Sequence, residues 1–156
     1  MPDSDLKSRL RSDLTDAIRR RDEVRSATIR MALTAISSAE VAGTSARALS
    51  DDEVEGVLGR EAKKRREAAT AYTEAGRPDR AERENAELAV LEGYLPQQLS
   101  DEELTGVVAE AVAEVSAAGA AGPAAMGRVM KIVQPRVARR ADGSRVATEV
   151  RRQLSS

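Results

Sequence analysis

Leu49-Ser50-Asp51-Asp52-Glu53-Val54 is matched further along the chain by Leu99-Ser100-Asp101-Glu102-Glu103-Leu104. In each hexapeptide the serine hydroxyl is placed to accept the amide of the third helical residue. A glutamate at that third position can answer the serine's own amide, and the leading leucine can staple to the apolar residue behind it. The acids of the first turn also face the positive end of the helix dipole. Both stretches therefore predict helix starts. The sequences beyond them differ, so the likeness is convergent capping and not an internal repeat.

Upstream of Leu49, helical spacing dominates. Leu6, Leu10, Leu14 and Ile18 recur every four residues and predict one face of a first helix. A second helix follows Asp22, with Val24, Thr28, Met31 and Ala35 on one stripe and Ile29, Leu33 and Ile36 on its neighbour, a face wide enough for the centre of a bundle. The helix that starts at Ser50 carries Val54, Leu58, Glu61, Arg65, Ala68 and Tyr72 and stops near Gly76, and Pro78 suits the first position of a fourth helix. That fourth helix directs Ala81, Asn85, Leu88 and Leu91 inward. Pro96 disfavours helical geometry in the residue before it and breaks the chain there.

Downstream, Leu104, Val107, Val108, Ala111, Val112 and Val115 define a fifth helix, ended by Ala117-Ala118-Gly119-Ala120-Ala121-Gly122. Met126, Val129, Met130 and Val133 mark a sixth that Pro135 closes, and Asp142-Gly143-Ser144 introduces a seventh carrying Val146, Val150 and Leu154. The expected fold is all-α, with an N-terminal four-helix bundle-like unit over residues 1–95 and a small three-helix unit over 96–156.

Composition narrows the chemistry. The 156 residues contain no cysteine and no histidine, so disulfides, thiolate nucleophiles, zinc fingers and every imidazole-based triad are excluded. Only Lys7, Lys63, Lys64 and Lys131 could serve a Ser/Lys pair, and no Gly-rich phosphate loop of the GxxxxGK[ST] kind occurs. No catalytic residue, metal site or cofactor is expected. The N-terminus has no apolar stretch of signal length and the chain has no run of about 18 apolar residues, so a cytoplasmic protein without a membrane partner is expected.

Charge is balanced overall but uneven along the chain. Residues 96–122 hold five acidic and no basic residues, whereas 123–156 hold eight basic against two acidic. A segment of that sign suits a polyanion such as RNA, and it equally suits a solvated helix face. Arg128 with Lys131, and Arg145 with Arg152, recur at spacings that share a helix face. Arg19-Arg20-Arg21 and Lys63-Lys64-Arg65-Arg66 fit structural roles better, the first at a helix end and the second among acids at pairing distance. Tyr72 and Tyr94, the only aromatic residues, are read as packing residues, which leaves little for base stacking. Glu84 and Glu87 are read as an exposed acidic face rather than a metal site.

Five stretches carry a resemblance in their order and spacing: Arg25 to Ala35 (RSATIRMALTA), Lys64 to Arg80 (KRREAATAYTEAGRPDR), Glu84 to Pro96 (ENAELAVLEGYLP), Met126 to Lys131 (MGRVMK) and Ala141 to Leu154 (ADGSRVATEVRRQL). Together they resemble the YqeY-like family, itself similar to the tail domain of the B subunit of the glutamine-dependent aspartyl/glutamyl-tRNA amidotransferase. The resemblance implies a helical bundle followed by a smaller three-helix unit. It also implies a link to tRNA, because in the amidotransferase the tail recognises the tRNA body while amide transfer, a carbon–nitrogen ligase reaction with glutamine as amido-N-donor, belongs to domains that are missing here. The family's Met-Gly-Lys-x-Met pattern falls on Met126, Gly127, Arg128 and Met130, and its Gly-Lys-Ala-Asp turn on Arg139, Arg140, Ala141 and Asp142. Arg139 stands where the family has glycine and supplies a charge in its place.

Regional charge, helical spacing and the resemblance converge on Arg128, Lys131, Arg139, Arg140, Arg145 and Arg152 as an RNA-binding set, with tRNA or another structured RNA as partner. The alternative is a protein-interaction or accessory module of the amidotransferase system that uses the acidic fourth and fifth helices.

Overall fold

The computed structural model describes residues 2–156, and among them every regular element is helical. The chain divides into two compact units, Met1–Leu95 and Pro96–Ser156. The first contains α1 (Asp5–Arg19), α2 (Glu23–Glu40), α3 (Asp51–Glu74) and α4 (Pro78–Glu92). The second contains α5 (Asp101–Ala117), a 3-10 turn (Pro123–Ala125), α6 (Met126–Val137) and α7 (Gly143–Leu154).

Both hexapeptides form the capping box expected of them. Ser50 Oγ accepts the Glu53 amide at 3.2 Å and Glu53 Oε1 accepts the Ser50 amide at 3.2 Å; the Ser100–Glu103 pair repeats this at 3.1 and 2.9 Å. Asp22 caps α2 through the Arg25 amide, and Asp142 caps α7 through the Ser144 amide. Each such bond satisfies one of the orphan amides that open a helix, and losing one costs about 1 kcal/mol.

In the first unit, Leu10, Ile29, Ile36, Val54, Leu58 and Leu91 are fully buried and share one core with Tyr94. Ile18 departs from its expected stripe and is 49% exposed, with Ala17 buried instead. A four-residue step overshoots the 3.6-residue turn, so each step drifts round the helix, and three of them carry Ile18 off the core face. Asn85 is exposed rather than inward. Glu84 and Glu87 are not an exposed acidic face: their side chains are 15% and 14% exposed and lie 3.3 and 3.6 Å from Arg65 Nη1, so they tie α4 to α3. Lys7 is also buried, its ammonium 2.7 Å from Glu40 and 3.1 Å from Asp3. The hydrogen bond it donates to Glu40 is the main reason its pKa is raised.

Tyr94, two residues past α4, contacts both α1 and α2. Its hydroxyl donates to Asp13 at 2.5 Å and accepts from Arg25 at 3.0 Å, while the Arg9 guanidinium lies 4.9 Å from its ring centre. Burial first, then the bond to Asp13, pushes the phenol up to about 12.

The second unit has its own core of Leu104, Val108, Ala111, Val115, Val129, Val133, Val137, Val146 and Val150. Helices α5, α6 and α7 each pack on the other two. Pro135 does not close α6, which runs on to Val137. The proline has no amide for a helical bond, but Val137 is buried in the core, and that contact offsets the lost hydrogen bond. No helix among the described residues is long and apolar enough to cross a membrane.

Candidate nucleic-acid interface

Helix α6 presents Val129, Val133 and Val137 to the core, which leaves Arg128 and Lys131 exposed on its outer surface. Neither has an acidic residue three or four positions away, and neither has an ionic partner among the described residues. On α7, burial of Val146 and Val150 turns Arg151 and Arg152 outward. Because α7 packs on α6 and also on the 3-10 turn that precedes α6, the chain doubles back after residue 137.

The remaining basic residues are engaged within the unit. Arg152 forms a two-point contact with Glu149, its Nε lying 2.9 Å from Oε2. The Glu149 carboxyl is also bonded by Gln153 at 3.0 Å and Thr105 at 3.2 Å. The Arg152 contact first and then Gln153 lower its pKa from the ordinary 4.5 to about 2, so it stays ionised at any neutral pH. Arg145 Nη2 donates to the Leu99 carbonyl at 2.8 Å and to Asp101 Oδ1 at 2.9 Å. Arg136 pairs with Glu114 at 2.7 Å.

The two arginines of the α6–α7 turn fasten the segment that enters the unit. Arg140 Nε donates to the Gln97 carbonyl at 3.0 Å, and its own carbonyl accepts the Leu99 amide at 2.7 Å. Gln98 Nε2 donates to the Arg139 carbonyl at 3.0 Å. The turn itself closes with the Arg140 amide on the Val137 carbonyl at 2.8 Å, and its left-handed residue is Ala138, at φ 47° and ψ −120°, rather than Arg139. The arginine that stands where the family has glycine is therefore under no left-handed strain.

These pairings correct one expectation. The second unit is not basic as a whole: the eight cations of residues 123–156 share it with seven carboxylates, five of them on α5. Unneutralised positive charge is confined to Arg128, Lys131 and Arg151, together with the exposed Arg140, whose one side-chain bond goes to an uncharged carbonyl. Arg145 and Arg152 share a helix face by spacing, yet each faces a carboxylate. For Arg152 the sequence already contained the signal, since Glu149 lies three residues before it on the same helix. Arg151, outside the expected set, is two residues from Glu149 and so cannot face it.

No curated protein matches this chain. The sequence profile described as Yqey-like protein matches residues 7–154. That span runs from the buried Lys7 of the first unit to Leu154 at the end of α7, and the chain belongs to the YqeY-like family.

Proposed function

We propose that this protein is a non-catalytic helical module that binds structured RNA, with tRNA the favoured class, through the outer surface of α6 and α7. The observation that carries the reading is that Arg128, Lys131 and Arg151 stay exposed and unpaired in a unit where Arg136, Arg145 and Arg152 meet carboxylates. The likeness of the family to the tRNA-recognising tail of the amidotransferase supports tRNA as the class. Arg139 and Arg140 lie at the turn beside this surface, and Arg145 and Arg152 orient the residues around it. With two tyrosines, both engaged within the first unit, base stacking contributes little and RNA shape supplies selectivity.

Filter binding of tRNA against an unstructured RNA of equal length, over a salt series, tests this. If Arg128, Lys131, Arg140 and Arg151 each meet a phosphate, the log–log slope is about −3, at roughly 0.7 to 0.9 counterions per contact. Replacing Arg128 and Lys131 together with glutamine should flatten it by about 1.5 to 2. No binding at low salt, or an unchanged slope in the double variant, would leave these residues as a solvated surface.

A second reading rests on a different observation. Glu102, Glu103 and Glu110 are exposed on α5 and form no ion pair among the described residues, which suits a basic protein partner such as a component of the amidotransferase system. Copurified material that resists ribonuclease would favour that reading.

A further inference from the structure

We infer that α5 is an internal competitor for the basic surface of the second unit: its carboxylates hold Arg136 and Arg145, and a bound polyanion gains those two cations only by displacing Glu114 and Asp101. The inference rests on the RNA reading above and concerns how that same surface is regulated.

Three observations carry it. The first is that the pairs join different helices, Arg136 of α6 to Glu114 of α5 at 2.7 Å and Arg145 of α7 to Asp101 of α5 at 2.9 Å. Each therefore neutralises a cation at the margin where α6 or α7 meets α5. The second is exposure: the Glu114 side chain is 50% exposed and that of Asp101 96% exposed. Carboxylates so well hydrated lose little when their partner leaves, because exposed ion pairs are weak and water resolvates the released group. A phosphodiester offers the same two-oxygen geometry to a guanidinium, so it can take the carboxylate's place without repositioning the arginine. Arg145 keeps its orientation through the exchange, since its bond to the Leu99 carbonyl is independent of Asp101.

The third observation is a contrast within the unit. Glu149 is 14% exposed and is bonded by Arg152, Gln153 and Thr105 at once. Releasing Arg152 would leave a largely covered carboxylate without its cation, so that pair stays closed. The competition is thus confined to Arg136 and Arg145. In the free protein α5 keeps them occupied, and weak polyanions meet only the open cations. A ligand with phosphates spaced to reach the α5 margin gains two more contacts.

The test is filter binding of one tRNA to the full chain over a salt series, with Glu114→Gln, Asp101→Asn, the double variant and Glu110→Gln. Glu110 is exposed on α5 and has no ionic partner among the described residues, so it reports the loss of a negative charge without the release of a cation. Glu114→Gln and Asp101→Asn should each steepen the log–log slope by about 0.7 to 0.9 and tighten binding roughly five-fold at 0.1 M salt. Glu110→Gln should leave the slope unchanged, and adding Arg136→Gln to Glu114→Gln should return it to the wild-type value. A wild type that binds, with Glu114→Gln and Asp101→Asn at its slope, overturns the inference and leaves the RNA reading standing. An equal steepening by Glu110→Gln also overturns it, because α5 would then act through its net charge alone. A silent wild type removes the RNA reading, and the inference falls with it whatever the double variant does.

Discussion

Ala138 and Arg21 are the non-glycine residues of the described chain with positive φ, at 47° and 58°. Each sits where a helix ends and the backbone must reverse. Arg21 follows the cap of α1, where the Asp22 amide reaches back to the Ala17 carbonyl at 2.9 Å and the Arg21 amide to Ile18 at 3.1 Å. Helix α3 ends with the same pair of bonds, but there the left-handed residue is Gly76. A side chain at such a position crowds its own backbone, and glycine removes the clash at some cost in chain entropy. Ala138→Gly and Arg21→Gly should each stabilise the protein by about 1 kcal/mol in thermal unfolding, the former more because its φ/ψ pair lies further from the basin open to alanine. Unchanged or lowered midpoints would show that these turns are relaxed as they stand. The Gly76 stop was legible in the sequence because glycine announces it. The positive φ at Arg21 and Ala138 carries no such mark, since neither residue is glycine.

At the scale of the element, sequence reading succeeded where the signal is local and faltered where it depends on a neighbour. Capping boxes, the Pro78 start and the apolar stripes of α5, α6 and α7 are local and were recovered. Lys7, Glu84 and Glu87 are harder to read, because charged side chains are expected in water and only the packing of a second helix draws them in. Lys7 shows how such a group holds elements together. Its ammonium joins α1 to Glu40 at the end of α2, and Glu40 also accepts the Leu49 amide at 3.4 Å, just before α3. Lys7→Met should therefore destabilise by roughly 2 to 3 kcal/mol in denaturant, because it leaves Glu40 largely covered and without its cation. Lys7→Met with Glu40→Gln should recover at least half of that loss. If the double variant is as unstable as the sum of the single ones, the two residues act independently and the pair is not the link between these helices.

On the scale of the whole molecule, the net charge of −1 conceals a segment with six more positive than negative charges that folds against an acidic helix. The charge run was legible, but its neutralisation was not, since Arg136–Glu114 and Arg145–Asp101 join residues far apart in the chain. The same separation of local from long-range information applies to stability. Each unit has a core of its own, one around Leu10, Ile36 and Leu58 and the other around Val108, Val133 and Val150. The entry to the second unit is secured from within, by the Leu99 amide on Arg140 and the Gln97 carbonyl under its guanidinium, while Tyr94 is fastened to Asp13 and Arg25 of the first. Structure thus changes hands over Leu95 and Pro96, and cooperative unfolding should follow the same division. Leu58→Ala removes a fully buried leucine and should cost the first unit about 2 to 5 kcal/mol; Val133→Ala should cost the second roughly 1 to 3. Hydrogen exchange resolved by peptide reads the two units separately. Leu58→Ala should lower protection in α1 to α4 and leave α5 to α7 at wild-type values, with the converse for Val133→Ala. If either substitution lowers protection in both units by the same free energy, the chain unfolds as one body. The small second unit then owes its persistence to the first rather than to its own valines.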